Sequence, residues 1–465
     1  MEEKNAFRPK VLKLFQLVMI NIIAVDSIRT LPFAAEFGLS LVFYYIVMGI
    51  CFMCMIALFA AELGSAWPLT GGIYIWIREA FGNKTGLIGI WLYWIYNVFW
   101  YPTIMALVAG TLTYFFDPQL AQNPYYMAFT TIALFWIMTI FNCRGMRLSS
   151  YVSNFAAVLG VLLPMTIIII LSIVWLVSGK GIQLDLQNTS FWPNFKNVRG
   201  LAFLSTVMFG LIGLEMAAVH AKDMKNPQRD YPRALLISTI LILATLILSS
   251  LGVALVTPMK SLNLITGVTN AFALFVEQFN LQILVPLFAA CIVIGALGGA
   301  GAWIIGPPKG LMVASEDGLL PDTISYTNKY GVPTHMLMIQ GVVVSIIALA
   351  FIFLPGVNAT YWILSAITAQ LATLPYMMMF AAGIRLRYKF PDKERPFKIP
   401  FGNVGIWICG SVGILACLFA LIFGFFPPPQ VADINIWTYE IILWGGMIIA
   451  CLIPVLISSR MFKRR

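Results

Sequence analysis

The chain has 465 residues, 60% hydrophobic and only 10% charged, with a net charge of +10. Soluble domains carry roughly 25% charged residues, so the composition excludes a soluble globular protein. The apolar runs are about 20 residues long, which suits α-helices crossing a bilayer rather than the short alternating segments of a barrel.

The fold class expected is therefore an all-α polytopic membrane protein with twelve spans. They fall near 11–37, 39–65, 87–116, 125–142, 150–178, 199–222, 232–257, 281–305, 335–354, 358–383, 403–426 and 436–459. The polar start, residues 1–10, lacks the apolar core and small-residue cleavage site of a signal peptide. Span one carries Asp26 and Arg29 near its middle, with Pro32 three residues on. A charge at membrane depth costs several kcal/mol, on the order of 3, and Pro32 disfavours helix just before it. Broken helix at that depth is tolerated where it is buried or lines a cavity. The stretch Val25, Asp26, Ser27, Ile28, Arg29 thus lines a site, or Asp26 and Arg29 neutralise each other at a kink.

Between spans two and three, 69–82 reads as a short interfacial helix. Span six reads Phe209, Gly210, Leu211, Ile212, Gly213, Leu214, Glu215. Two glycines weaken the helix, and Glu215 is a carboxylate at depth. Interrupted segments at corresponding positions of two halves point to a transport site between inverted repeats. Free N–H groups at half-helix N-termini suit a carboxylate, and freed carbonyls suit an ammonium group. Residues 261–279 read as an outer amphipathic segment and 307–330 as an inner loop. The basic stretch 385–400 reads as an inner-face stop signal.

Lys and Arg divide sharply between the two sides. Arg78, Lys84, Lys225, Arg229, Arg385–Lys398 and Arg460–Arg465 share a side with the N-terminus, whereas Lys180, Lys196, Arg199 and Lys260 do not. Both ends are expected in the cytoplasm. The division expected is a tail 1–10, a ten-helix core 11–383 with repeats of about 11–178 and 199–383, a linker 384–402, two helices within 403–459, and a tail 460–465.

Enzymatic signals are few. The seven cysteines are scattered, and the Cys51–Cys54 pair lies mid-helix among apolar residues, where cysteine acts as a small hydrophobe. With two histidines, no HExxH and no GxxxxGK[ST], no metal, cofactor or ATP site is expected, and the chain is not expected to be an enzyme. His220, one turn past Glu215, reads as a helix-end residue or a sensor of cytoplasmic acidification. Glu62 reads as an inner-gate or packing partner.

Several motifs carry a resemblance: Trp67-Pro-Leu-Thr-Gly-Gly72 with Tyr74 beyond it, Asp223-Met-Lys-Asn-Pro-Gln-Arg-Asp-Tyr-Pro232, Trp303-Ile-Ile-Gly-Pro-Pro-Lys-Gly310, Glu316-Asp-Gly-Leu-Leu-Pro321 and Asn328-Lys-Tyr-Gly-Val-Pro333. Over nearly its whole length the chain resembles the amino acid–polyamine–organocation transporters. Within them it is most similar to the glutamate:γ-aminobutyrate antiporter branch. The resemblance implies a five-plus-five inverted repeat with two extra helices, broken spans one and six, and alternating access.

It also implies roles. Val25, Asp26 and Ser27 match the unwound part of span one that holds a substrate carboxylate. Phe209 matches an aromatic that occludes substrate, and Glu215 an acid linked to gating. Asn97 and Tyr101 in span three, Trp303 in span eight, and Ser365 and Ala366 in span ten match substrate-facing positions. The expected function is exchange of amino acids or their amine derivatives. Proton- or sodium-coupled symport, with Asp26 and Glu215 as proton carriers, is the alternative. Expected partners are small amino acid or amine substrates and the lipid of the inner (plasma) membrane. No nucleic acid is expected, and the protein is a monomer or homodimer.

The chain departs from the pattern in three places. No glycine stands in Val25-Asp26-Ser27, so Arg29 is left to neutralise Asp26 or to hold a carboxylate itself. Only 460–465 follow the last span, so the acid-gated C-terminal plug of the glutamate exchangers is not expected. Asn154 stands near a span-five position where some relatives carry lysine.

Overall fold

The computed structural model of the chain describes residues 14–69, 71–145, 155–184, 190–192, 201, 203–216, 227–258, 262–426 and 435–462. Among the described residues every regular element is helical and no strand occurs. Eleven helices are long and apolar enough to cross a membrane. In the expected numbering they are span one Leu14–Ala35, two Gly38–Ala66, three Asn83–Phe115, four Pro124–Asn142, five Phe155–Val177, seven Arg229–Val256, eight Gln282–Glu316, nine Thr334–Phe353, ten Val357–Lys389, eleven Gly402–Phe423 and twelve Ile436–Leu456. The expected sixth span is a shorter apolar segment, Leu204–Met216, interrupted at its middle. Residues 217–226, His220 among them, and Asn154 lie outside the described residues.

Burial sorts the spans into centre and edge. In the most apolar stretch of each, 83% of span ten, 72% of span three and 67% of span one is buried, against 28% of span twelve and 33% of span eleven. Three, ten and one therefore form the middle of the bundle. The outer spans keep large apolar side chains exposed, such as Trp407, Leu415 and Ile441, as a lipid-facing surface allows.

Local sequence accounts for the joints. Span four starts at Asn123, whose side-chain oxygen accepts from the Tyr125 and Tyr126 amides at 3.0 and 3.1 Å, with Pro124 in the first turn. The interfacial helix expected after span two is Ile73–Phe81; it ends at Gly82, which takes a φ of +94°. The outer amphipathic helix is Gly267–Glu277. One expectation needs correction: Pro307 does not open a loop. Span eight bends at Ile305 and continues as the helix Gly306–Glu316. Pro307 and Pro308 fall in its first turn, where a missing donor costs nothing.

Two polar networks tie the elements on the basic side. Glu62 on span two accepts from Arg387 Nε at 2.9 Å, also pairs with Arg387 Nη2 and Arg395, and accepts from the Ile399 amide at 2.8 Å. All three charged side chains are buried. The basic stretch 385–400 is thus more than a stop signal, since part of it is folded onto span two. In the second network Asp317 accepts from Arg78 Nη1 at 2.6 Å and from the Tyr74 hydroxyl, joining the interfacial helix to the end of span eight. Burial, and next the Asp317 carboxylate, push the Tyr74 hydroxyl above its usual pKa, so it stays a donor.

Removing one partner of a buried ion pair leaves the other charge uncompensated. Glu62→Ala is therefore expected to cost on the order of 3 kcal/mol, read as a lower thermal unfolding midpoint in detergent. An unchanged midpoint would show that water replaces Glu62 at the two guanidiniums.

Candidate transport site

Span one is helical from Leu14 to Val25 and stops there. The Asp26 amide still bonds Ile22 O at 2.7 Å, but Ser27 is extended, at φ −139° and ψ 121°. Helix resumes as a 3-10 turn, Ile28–Thr30, then Leu31–Ala35. The Thr30 hydroxyl donates to Ser27 O at 2.9 Å, tying the restarted turn back to the extended residue. Pro32 does not sit at the break. It lies in the first turn of the second half-helix, where proline is favoured.

The second interruption follows Phe209, where Phe203–Phe209 ends. Gly213 takes a φ of +130° before a final 3-10 turn. A Cβ there would lie 2.7 Å from Ala24 O and 3.1 Å from the Trp303 ring. A Cβ on Gly210 would lie 3.1 Å from Thr30 Cγ2. The two breaks therefore cross in contact. Trp303 on span eight closes the crossing, its indole N–H donating to Ala24 O at 3.1 Å.

A cavity opens at this crossing. Its wall includes Val25 to Thr30, Phe209, Gly210, Ile212 and Trp303, with Tyr96, Asn97 and Trp100 from span three. Gly160 on span five and Gly295 on span eight also line it, and their backbones touch.

The two charges of span one do not pair with each other. Asp26 Oδ2 accepts from the Thr245 hydroxyl of span seven at 2.8 Å, and Oδ1 has no partner. Arg29 turns the other way: its Nη1 donates to Ser365 Oγ of span ten at 3.2 Å, and its guanidinium carbon lies 5.1 Å from the Phe209 ring centroid. Arg29 is 1% exposed, Asp26 3%, and the Arg29 Nε has no partner. No carboxylate of the described residues pairs with Arg29. A buried guanidinium normally has such a partner.

The other expected residues are placed as follows. Asn97 lines the cavity; its amide nitrogen is spent on Tyr93 O at 2.8 Å, leaving its oxygen as an acceptor. Tyr101 turns out of the cavity, donating to Trp303 O at 2.9 Å and packing on Phe135. Ser365 stands behind Arg29, and Ala366 is buried in span ten outside the cavity wall. Gly213 forms the crossing rather than the wall. Glu215 is also off the wall: one oxygen accepts from Tyr93 at 2.9 Å and Tyr376 at 2.6 Å, linking spans three, six and ten.

The sequence reading missed Tyr96 and Trp100. Their face of span three, 96, 97, 100, 104 and 107, has helical spacing, but only one fixed member reveals which of several aromatic faces points inward. It also missed Gly160 and Gly295, which nothing in the sequence relates to each other.

The model of the family described as "Amino acid permease" matches residues 11–451. An uncharacterised transporter of Legionella pneumophila is 48% identical over 451 residues, covering 97% of both chains. A glutamate/gamma-aminobutyrate antiporter of Lactococcus lactis is 27% identical over 461 residues, covering 98% of this chain and 92% of its own. A Lactococcus lactis protein named a probable agmatine/putrescine antiporter is 25% identical over 409 residues, covering 88% of this chain and 84% of its own.

The crossing depends on a residue without Cβ. Gly213→Ala combines a strained φ with a backbone clash, and is expected to cost about 2 kcal/mol or more. The measurement is thermal unfolding beside transport in the same preparation. Wild-type values in both would show that the breaks separate freely.

Proposed function

Because the chain belongs to the amino acid permease family and is a multi-pass membrane transporter rather than an enzyme, we propose that it exchanges amino acids or their amine derivatives across the membrane by alternating access. The exchange resembles that named for its glutamate/gamma-aminobutyrate antiporter relatives. The observation that carries this reading is Arg29, a buried guanidinium on the wall of the cavity with no carboxylate partner among the described residues. An arginine presents planar donors that fit a carboxylate bidentately. Its burial costs several kcal/mol while unpaired, and a bound carboxylate offsets that cost. Binding then favours the state in which Arg29, Phe209 and span ten stay together.

The remaining assignments belong to the same reading. Val25, Asp26, Ser27, Ile28, Asn97, Phe209, Gly210, Ile212 and Trp303 bound the substrate, while Ser365 orients Arg29. Tyr101, Gly213 and Ala366 support the site from behind. Glu215, held by Tyr93 and Tyr376, gates one side of the crossing. Residues 11–178 and 199–383 are the two repeats, and the last two helices flank them. Both termini lie in the cytoplasm and the membrane is the plasma membrane, as the Lys and Arg distribution favours.

One observation favours a second reading, symport with a proton or sodium ion: Asp26 is a buried carboxylate with no cationic partner among the described residues.

The test is counterflow in proteoliposomes loaded with single amino acids or amines, at pH 5.5 and 7.5, with and without sodium. Exchange predicts that a lumenal substrate accelerates uptake from outside, and that ionophores leave this acceleration intact. Symport predicts uptake into empty vesicles that collapses with the ionophore. Arg29→Ala is expected to lower exchange of carboxylate substrates about tenfold or more. Wild-type affinity in a folded Arg29→Ala protein removes the assigned role.

A further inference from the structure

We propose that Asp26 and Arg29 are two separate poles for one substrate, so that the protein selects substrates by the distance between their ammonium and carboxylate groups. Asp26, against span seven, takes the cation. Arg29, against spans six and ten, takes the anion. The inference rests on the transport reading above and adds to it what the site measures.

The argument starts from the backbone. Asp26 and Arg29 are three residues apart, and Ser27 between them is extended. Three residues reach up to about 10 Å. The side chains leave this segment towards different helices: Asp26 meets Thr245, and Arg29 meets Ser365 and Phe209. Opposite charges this close in sequence and this deeply buried would gain by pairing. They do not pair; each bonds a neighbour on another helix instead.

Each pole also keeps an unused atom. Asp26 Oδ1 and Arg29 Nε are buried without partners, and both residues line the one cavity. The wall otherwise includes apolar surface such as Ile104, Ile212, Ile292 and Trp303, which suits methylene groups.

A substrate whose two charges sit on one carbon engages one pole and leaves the other buried and unpaired, which is costly. A substrate whose ammonium and carboxylate are separated by several bonds reaches both. An ω-amino acid fits that description. So does an amino dicarboxylate bound through its distal carboxylate.

The test uses purified full-length protein in proteoliposomes. Homo-exchange is measured for glycine, β-alanine, 4-aminobutanoate and 5-aminopentanoate, with butanoate and butylamine as one-charge controls. Each is run in sodium, potassium and choline media. Exchange is expected to rise along the series, the longer members exceeding glycine about tenfold. Asp26→Asn is expected to close the gap between 4-aminobutanoate and butanoate, and Arg29→Gln the gap between 4-aminobutanoate and butylamine.

Thermal unfolding in detergent establishes that each variant is folded; if one is not, the wild-type series decides alone. A flat series, or one that favours glycine, overturns the proposal while leaving the transport reading standing. Unchanged preferences in folded variants do the same. A sodium or potassium requirement that Asp26→Asn abolishes assigns Asp26 to an inorganic ion instead. Absence of exchange by every amino acid and amine removes the transport reading itself.

Discussion

The contact of Gly213 with the Ala24 carbonyl is the constraint on which the rest of the molecule depends. Backbone groups at membrane depth cannot turn to lipid for hydrogen bonds. Two helices that each lose a turn there must therefore satisfy their freed groups within the protein. Here they do so partly at each other's expense. Ala24 O, released where span one stops, accepts from Trp303, and Gly213 is close enough to shield it. Thr30 bonds back to Ser27 O at the restart of span one and packs against Gly210. Only small residues permit this approach, which explains glycine on span six where span one needs none. The break of span one is made by an extended serine whose carbonyl accepts from the Thr30 hydroxyl, so its missing glycine is no obstacle.

The second consequence is electrostatic. Opening the helix at Ser27 separates two charges that an intact helix would have held near each other, since residues three apart share a face. Once separated, each falls under different neighbours. Thr245 offers one hydroxyl to Asp26, and Ser365 one acceptor to Arg29. Neither offers an opposite charge. The site is left under-satisfied, and buried polar groups in that condition generally mark a place where something else binds. The ring of Phe209 partly compensates the guanidinium, as aromatic faces do for cations.

Much of this was legible in the chain itself. The all-helical class, the long apolar spans, the two interrupted segments and the small helices beside spans two and eight follow from hydropathy, glycine and charge placement. The family motifs pointed to the same fold. Three things were not legible. The direction in which Asp26 and Arg29 leave the backbone depends on Ser27 being extended, and a serine does not announce that. The inward face of span three could not be told among its aromatics: of the two positions that the resemblance implied, Asn97 lines the cavity and Tyr101 does not. The extension of span eight through Pro307 was hidden because proline ends helices more often than it begins their continuations. In each case the sequence names the residue and tertiary contact decides its direction.

Span ten is what joins these pieces. Ser365 holds Arg29 of span one, and Tyr376 holds Glu215 of span six. They are eleven residues apart, about 16 Å along a helix at its usual rise. The crossing of the breaks is therefore braced at two levels against one helix, itself the most buried in the bundle. Because Tyr93 of span three shares Glu215 with Tyr376, the second brace also reports on the wall that carries Tyr96 and Trp100. Arg29 stands on the cavity wall and Glu215 behind it, so span ten ties both the wall and its support to the crossing of the breaks.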